Sequence, residues 1–184
     1  MLVTRELGRY GIDIASLSET RFLDKGQIVE EKAGYTIFWS GRAKGRKSGV
    51  AFAVKKEIVS KLESLPQYVN DRIMTMRLPL QDNTHLTLIS IYAPTMSNPS
   101  EEKERFYQHL DEVIKKVSKQ DRLIILGDFN ARVGTSSELW QGTIGRHGIG
   151  QENSNGKLLL TLCSLHKLTI TNTLFQLKNH HKTT

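Results

Sequence analysis

Residues 123–131 read LIILGDFNA, an unbroken apolar run that gives way abruptly to glycine, aspartate and asparagine. Four consecutive large apolar residues are typical of a strand that is buried on both faces. We therefore place Asp128 and Asn130 just after a strand, where a loop can present polar side chains from a rigid base. A turn here needs only Gly or Asn, so a carboxylate at Asp128 suits a hard cation or a general base. An Asx turn capped by Asp128 is the alternative interpretation.

Two more predicted strands end in polar residues. The segment IDIASL (12–17) predicts a strand, and Glu19 lies in the polar SET that follows it. The segment THLTLISIY (84–92) predicts a strand that ends at Tyr92. Ligand sites gather at strand ends in layered sheet proteins, so Glu19 and Tyr92 join Asp128 as candidate site residues. The alternatives are a surface glutamate and a core tyrosine whose hydroxyl lies at the rim.

Strand and helix patterns alternate along the rest of the chain. The strongest helix prediction has Asn98 as N-cap, Pro99 at the first helical position and Glu101 completing a capping box. Its apolar stripe consists of Phe106, Leu110, Val113 and Val117. The other predicted helices cover residues 2–10, closed by Gly11, and 157–166, and the other predicted strands cover 35–39, 49–54, 72–80 (in a hairpin with 84–92) and 168–173. This alternation predicts an α/β or α+β fold.

The chain carries a net charge of +7 and has a pI of about 9.5. A basic excess suits a polyanionic partner such as nucleic acid, although a solvated basic protein would have the same composition. The loop GRAKGRKSG (41–49) carries four cations, Arg42, Lys44, Arg46 and Lys47. Cations on a glycine-bearing loop suit phosphate contacts, and a solvated hairpin tip is the alternative.

Several classes of protein are disfavoured. The single cysteine, Cys163, cannot form an intrachain disulfide, and its apolar surroundings predict a buried structural thiol. The six histidines show no zinc-ligand spacing with cysteine, and His180 and His181 are expected at the surface. The chain has neither the GxxxxGK[ST] nor the GxSxG pattern. With no signal peptide or membrane-length apolar run, we expect an intracellular protein, nuclear or cytoplasmic, with no membrane partner.

Four segments together form a recognisable ordered set: SLSET (16–20), SGVAF (48–52), IYAPT (91–95) and GDFNA (127–131). The set resembles the endonuclease/exonuclease/phosphatase family, and the sequences of its segments are similar to those of the endonucleases of RTE-type LINE retrotransposons. The resemblance implies a four-layer α/β sandwich in which two packed sheets carry helices on their outer faces.

The resemblance also implies a role for each candidate residue. Glu19 matches a metal-binding glutamate, and Tyr92 matches a tyrosine that lines the active site near the scissile phosphate. Asp128 matches an aspartate that acts on the attacking water or the leaving group, beside the metal. Asn130 matches an asparagine that holds the phosphate. The implied metal is Mg²⁺, with Mn²⁺ as a substitute, the implied partner is DNA, and no small-molecule cofactor is expected.

The chain departs from the family pattern at both ends. The family begins with a strand that carries an asparagine and ends with strands that carry an aspartate and a histidine. We therefore expect residues 1–184 to form a single partial domain with impaired catalysis. The alternatives are a non-catalytic remnant that binds nucleic acid and another phosphoesterase of the same family.

Overall fold

The computed structural model describes residues 2–45 and 48–176, and the chain divides into two compact units. The first unit comprises residues 1–92 and 117–128, and the second comprises residues 93–116 and 129–184.

The first unit contains two four-stranded sheets among its described residues. One sheet has the order β1-β4-β3-β2 and is antiparallel throughout. The other has the order β5-β6-β7-β8, in which β7 and β8 are parallel and the other pairs are antiparallel. The elements are α1 (Leu2–Arg9), β1 (Ile14–Ser18), β2 (Lys25–Glu30), β3 (Tyr35–Ser40), β4 (Val50–Lys55), α2 (Lys56–Val59), β5 (Gln67–Asn70), β6 (Ile73–Pro79), β7 (His85–Tyr92) and β8 (Arg122–Asp128).

The apolar core of this unit lies between the two sheets. Phe52 of β4 is completely buried and belongs to one cluster with Met74 of β6 and Leu88 of β7. Strand residues alternate between faces, so each sheet contributes every second side chain to this layer. The predicted hairpin of residues 72–80 and 84–92 is confirmed, and it supplies much of the core.

The helix α1 covers the other face of the first sheet. Leu7 packs against a cluster that contains Tyr35 and Ala51. The amide of Ile12 donates to the carbonyl of Leu7 at 2.9 Å, and Gly11 has a φ of +65°, as expected for a Schellman ending. The predicted helix closed by Gly11 is therefore confirmed.

The second unit contains the helices α3 (Ser100–Lys115) and α4 (Ser154–Leu165). Phe106, Leu110 and Val113 of α3 are buried, as predicted. The predicted N-cap is wrong, because Pro99 precedes the first helical residue and no side chain caps it. Asn98 instead closes the preceding turn, where its Oδ1 accepts from the amide of Thr95 at 2.9 Å.

The helix α4 begins three residues before the predicted start. The Oδ1 of Asn153 accepts from the amide of Gly156 at 2.7 Å, and this cap fixes the start at Ser154. Leu165, at the end of this helix, is 65% exposed. Cys163 is buried as predicted, and burial raises the pKa of its thiol to about 11.

The predicted strand over residues 168–173 is wrong. Ile170 makes only an isolated parallel bridge to Ile144, and Thr171–Thr173 form a short 3-10 turn. The hydroxyl of Thr173 donates to the carbonyl of Ile170 at 2.6 Å and accepts from the amide of Gly145 at 2.7 Å. These side-chain hydrogen bonds favour a turn over a strand ladder.

The predicted burial of residues 123–126 on both faces is also wrong. Leu126 of β8 packs against the core, but Ile124, on the same face, is 46% exposed. Within the described residues, β8 is an edge strand with β7 as its neighbour on one side. An edge strand lacks the lateral packing of an inner strand, so an apolar run there need not be covered.

The strand β2 was not predicted, because its sequence KGQIVE has no apolar alternation. The α/β fold class is confirmed, since helices accompany two packed sheets. In the part of the chain that the structure describes, no helix combines the length and apolarity needed to cross a membrane.

We expect Phe52→Ala to lower the free energy of unfolding by about 3–5 kcal/mol, because it leaves a cavity between the sheets. Urea denaturation followed by circular dichroism measures this loss. Ile28→Ala is the control, because Ile28 is 52% exposed on β2, and its effect should stay below about 1 kcal/mol. Equal losses in the two variants would contradict the described core.

An ion pair with a buried carboxylate links the second sheet to the chain entering β8. The Nε of Arg77 donates to Asp121 Oδ2 at 2.8 Å, its Nη2 donates to Oδ1 at 3.0 Å, and the hydroxyl of Thr87 donates to Oδ2 at 2.7 Å. The hydrogen bond from Arg77 is the main reason that the pKa of Asp121 falls from 3.8 to about 2.

We expect Asp121→Asn to destabilise the protein at pH 7 and to lose this effect in acid. The folded-state pKa is below the ordinary value, so the stabilisation is present above about pH 4 and disappears as the pH falls towards 2. Thermal unfolding of both proteins between pH 7 and 2 measures the difference. A difference that persists at pH 2 would show that the carboxylate charge is not its source.

Candidate active site

Three of the predicted site residues lie at strand ends of the first unit. Tyr92 ends β7, Asp128 ends β8, and the two are register partners in the parallel pair. Glu19 directly follows β1, which belongs to the other sheet. Because β7 and β8 run in the same direction, Tyr92 and Asp128 emerge at the same edge of their sheet.

The hydroxyl of Ser18 connects the end of β1 to the ends of β7 and β8. It donates to the carbonyl of Ile91 at 3.0 Å and accepts from the amide of Asp128 at 3.2 Å. Two residues earlier on β1, the hydroxyls of Ser16 and Ser90 lie 2.7 Å apart. These hydrogen bonds join the two sheets, so Glu19 is brought to the edge that carries Tyr92 and Asp128.

Gly127 meets a strict steric limit. Its φ is +131°, and a Cβ at this position would lie 2.0 Å from the carbonyl oxygen of Ile91. No side chain fits so close to a backbone atom, and L residues rarely adopt this conformation. The glycine therefore allows β8 to approach β7 closely just before Asp128.

The segment that carries Glu19 has an unusual backbone. Glu19 and Arg21 both have a φ of +55°, a conformation that costs non-glycine residues about 1 kcal/mol each. The two side chains form an ion pair, and the hydrogen bond and the charge from Glu19 raise the pKa of Arg21. The amides of Thr20 and Arg21 donate to the carbonyls of Gly49 and Ser48, each at 3.1 Å, and hold the segment in place.

Tyr92 is buried and closely held by Arg72. The Nη1 of Arg72 donates to the carbonyl of Tyr92 at 3.1 Å, and its guanidinium carbon lies 5.4 Å from the centre of the ring. Burial, followed by the negative charge of Glu19, raises the pKa of the Tyr92 hydroxyl, with Asp128 adding to the rise and Arg72 opposing it. The hydroxyl therefore stays protonated at neutral pH and can donate a hydrogen bond.

Asn130 belongs to the second unit. Its Nδ2 donates to the carbonyl of Ala93 at 2.9 Å, and its own carbonyl accepts from Asn155 Nδ2 at 3.1 Å. Asn155 is completely buried in α4 and also donates to the carbonyl of Pro94 at 2.7 Å. Its Nδ2 thus joins the segments that contain Asn130 and Pro94.

The sequence profile of the Endonuclease/Exonuclease/phosphatase family matches residues 2–157. The chain belongs to this family. It is 35% identical over 175 residues to craniofacial development protein 2 of Bos taurus and 34% identical to that of Tragulus javanicus. These matches cover 95% of the chain but only 28% and 29% of the two relatives, so the chain spans less than a third of their length.

Solved structures share the fold of this family member at low sequence identity. The AP endonuclease LMAP from Leishmania major has a TM-score of 0.57 at 15% identity, covering 90% of this chain and 60% of that protein. An AP endonuclease from Archaeoglobus fulgidus has a TM-score of 0.54 at 18% identity, covering 88% and 64%. The 3′ phosphatase NExo from Neisseria, bound to a product DNA hairpin, has a TM-score of 0.51 at 19% identity, covering 88% and 65%.

The carboxylates at the site suit a hard divalent cation such as Mg²⁺. Glu19 and Asp128 offer hard carboxylate oxygens, and Mg²⁺ is often held by one or two carboxylates together with water and substrate phosphate. Between residues 2 and 176, leaving out 46 and 47, no group of three or more His, Cys, Asp or Glu side chains could hold a metal ion. A closed protein cage of the zinc type is therefore absent from these residues.

The loop of residues 41–49 is anchored at its base. The Nε of Arg42 donates to Asp71 Oδ2 at 2.8 Å, and the hydroxyl of Ser48 donates to the same oxygen. Burial alone would raise the pKa of Asp71, but these hydrogen bonds and the charge of Arg42 outweigh it and lower the pKa. Two cations of this loop, Arg46 and Lys47, lie outside the described residues. The same is true of the histidines His180 and His181.

Four residues that support the candidate residues or their segments were not predicted from the sequence: Ser18, Asp71, Arg72 and Asn155. Ser18 stands inside SLSET, so the motif itself was the available signal. Asn155 stands in a polar, glycine-bearing stretch just before the apolar run of α4, a position that predicts only a helix start.

We expect Ser18→Ala to lower the free energy of unfolding by about 1–3 kcal/mol, because two backbone groups lose their shared partner. Chemical denaturation measures the change. Ser60→Ala is the control, since the exposed hydroxyl of Ser60 only donates to the nearby carbonyl of Glu57. If both variants were equally stable, the hydroxyl of Ser18 would not join the sheets in solution.

Proposed function

We propose that this chain is a Mg²⁺-dependent phosphodiesterase of the DNA endonuclease type, related to retrotransposon endonucleases. One observation carries the proposal. Glu19, Tyr92 and Asp128 stand at strand ends that carry the family motifs and that the hydroxyl of Ser18 joins, and Tyr92 and Asp128 are register partners. Two carboxylates beside a neutral hydroxyl suit a phosphodiester, which needs a cation and donors around its phosphate.

Each residue has a distinct proposed role. Glu19 and Asp128 hold the metal, which when bound stabilises charge on the phosphoryl oxygens and on the leaving 3′ oxygen. Asp128 also accepts a proton from the attacking water as its oxygen bonds to phosphorus and the bond to the 3′ oxygen breaks. Tyr92 donates a hydrogen bond to a phosphate oxygen, and Asn130 is proposed to hold the phosphate.

Three facts support DNA as the substrate. The chain has a net charge of +7, and the loop of residues 41–49 carries four of its cations. The Neisseria 3′ phosphatase of similar fold binds a DNA hairpin. Two further solved structures of similar fold are described as AP endonucleases.

We expect the purified chain to nick supercoiled plasmid slowly in the presence of Mg²⁺, and we expect this nicking to stop when EDTA is added. Asp128→Asn should reduce the rate by about 100-fold or more, because the charge needed for both metal and water is lost. Agarose gels measure the conversion of supercoiled to open-circular DNA. Asp82→Asn makes the same change at an exposed turn and should leave the rate unaltered. Nicking that survives in Asp128→Asn would refute the role of Asp128.

A second function is favoured by one contact. The carboxylate of Glu19 is already paired with Arg21, so a cation occupies the position where a metal would bind. A chain in which this pair persists would bind nucleic acid without cutting it. DNA affinity that falls steeply with salt, without nicking by a folded chain, would select this function. Mg²⁺-dependent hydrolysis of a small phosphate ester without DNA cleavage would indicate another phosphoesterase.

A further inference from the structure

The segment of residues 19–24 is hydrogen-bonded along its length to both ends of the loop of residues 41–49. At one end the amide of Gly41 donates to the carbonyl of Asp24 at 2.7 Å, and the amide of Asp24 donates to the carbonyl of Arg42 at 3.0 Å. At the other end the amides of Thr20 and Arg21 donate to Gly49 and Ser48. The conformation around Glu19 therefore depends on where these two loop ends lie.

A single carboxylate holds the two loop ends together. Asp71 lies in the turn between β5 and β6, and its Oδ2 accepts from Arg42 at the start of the loop and from Ser48 at its end. Ser48 is buried, so this hydrogen bond is shielded from water. Hydrogen bonds to an ionised acceptor are stronger than those between neutral groups.

The packing between the two segments leaves little freedom. A Cβ on Gly49 would lie 2.5 Å from the hydroxyl of Thr20, and a Cβ on Gly41 would lie 1.9 Å from the carbonyl of Phe22. The loop ends thus contact the Glu19 segment at backbone distance, and a shift of either end must move that segment.

We propose that Asp71 is a positioning residue for Glu19. It acts through Ser48 and Arg42. The carbonyl of Ser48 accepts from the amide of Arg21, and the carbonyl of Arg42 accepts from the amide of Asp24, both within the segment. The backbone of Glu19 is in a conformation that needs external support. The hydrogen bonds that Arg42 and Ser48 donate to Asp71 supply that support from outside the site. The positioning itself is independent of the proposed function, whereas the effect of the positioning on metal binding rests on that function.

Amide hydrogen exchange, followed by nuclear magnetic resonance, tests the positioning. In Asp71→Ala the amides of Thr20 and Arg21 should exchange about tenfold faster or more, because their acceptors are no longer held. Amides in the paired centre of β6 and β7 should keep their rates, which separates local release from general destabilisation. Asp82→Asn controls for the loss of a negative charge. Unchanged exchange at Thr20 and Arg21 in folded Asp71→Ala would overturn the proposal.

Two further variants guard against a failure to fold. Ser48→Ala removes one of the two hydrogen bonds to Asp71 and should also accelerate amide exchange at Thr20 and Arg21. Asp71→Asn keeps an acceptor oxygen and should restore part of the protection. If Asp71→Ala does not fold, Ser48→Ala decides the question. Amide exchange at Thr20 and Arg21 that is as slow in Ser48→Ala as in the unaltered chain would overturn the proposal.

Binding of Mn²⁺, measured by electron paramagnetic resonance, separates this proposal from the function above. If both hold, Glu19→Gln abolishes binding and Asp71→Ala weakens it by about tenfold, since the ligand is no longer pre-positioned. Faster amide exchange in Asp71→Ala would support the positioning. Mn²⁺ affinity that is unchanged in Glu19→Gln would, in the same experiment, refute the metal role of Glu19. Loss of binding in Glu19→Gln with no effect of Asp71→Ala would overturn the positioning role.

Discussion

The close approach of β8 to the carbonyl of Ile91 is the constraint on which the site depends. A residue with a side chain at position 127 would push the two strands apart, and the parallel register that aligns Tyr92 with Asp128 would be lost. The hydroxyl of Ser18 would lose its place as well, because its two partners, Ile91 and Asp128, lie on those two strands. The glycine of GDFN is thus required by the backbone, which leaves the aspartate after it available for chemistry.

The charges at this edge are balanced in pairs. Glu19 is paired with Arg21, and Arg72 lies against the ring of Tyr92, while the two carboxylates both raise the pKa of the Tyr92 hydroxyl. Carboxylates repel each other, so nearby cations reduce the cost of gathering them at one edge. A divalent cation would do the same more effectively, and it would compete with Arg21 for Glu19. The strained, exposed pair of Glu19 and Arg21 suits such an exchange better than the bidentate pair of Arg77 and Asp121, whose carboxylate is buried.

The sequence predicted what local patterns encode. Alternation located the hairpin of β6 and β7, helical spacing located α3, and polar residues at strand ends located Glu19, Tyr92 and Asp128. It could not predict Ser18 or Asp71 as supports, because their contacts join distant segments; Ser18 and Asp128, for example, are 110 positions apart. It failed over residues 168–173, where threonine hydroxyls replace ladder hydrogen bonds, and at Ile124, where an edge position leaves an apolar residue exposed.

Two of the motifs, IYAPT and GDFNA, contact each other within each unit. In the first unit Tyr92 and Asp128 are register partners, and in the second unit Asn130 donates to Ala93 while Asn155 joins the segments that hold Asn130 and Pro94. Residues that touch at several points constrain each other, so a change in one motif carries a penalty in the other. This mutual constraint gives a physical reason for the two motifs to occur together. The ordered set of four motifs predicted the family, whereas each candidate residue taken alone has an ordinary structural alternative.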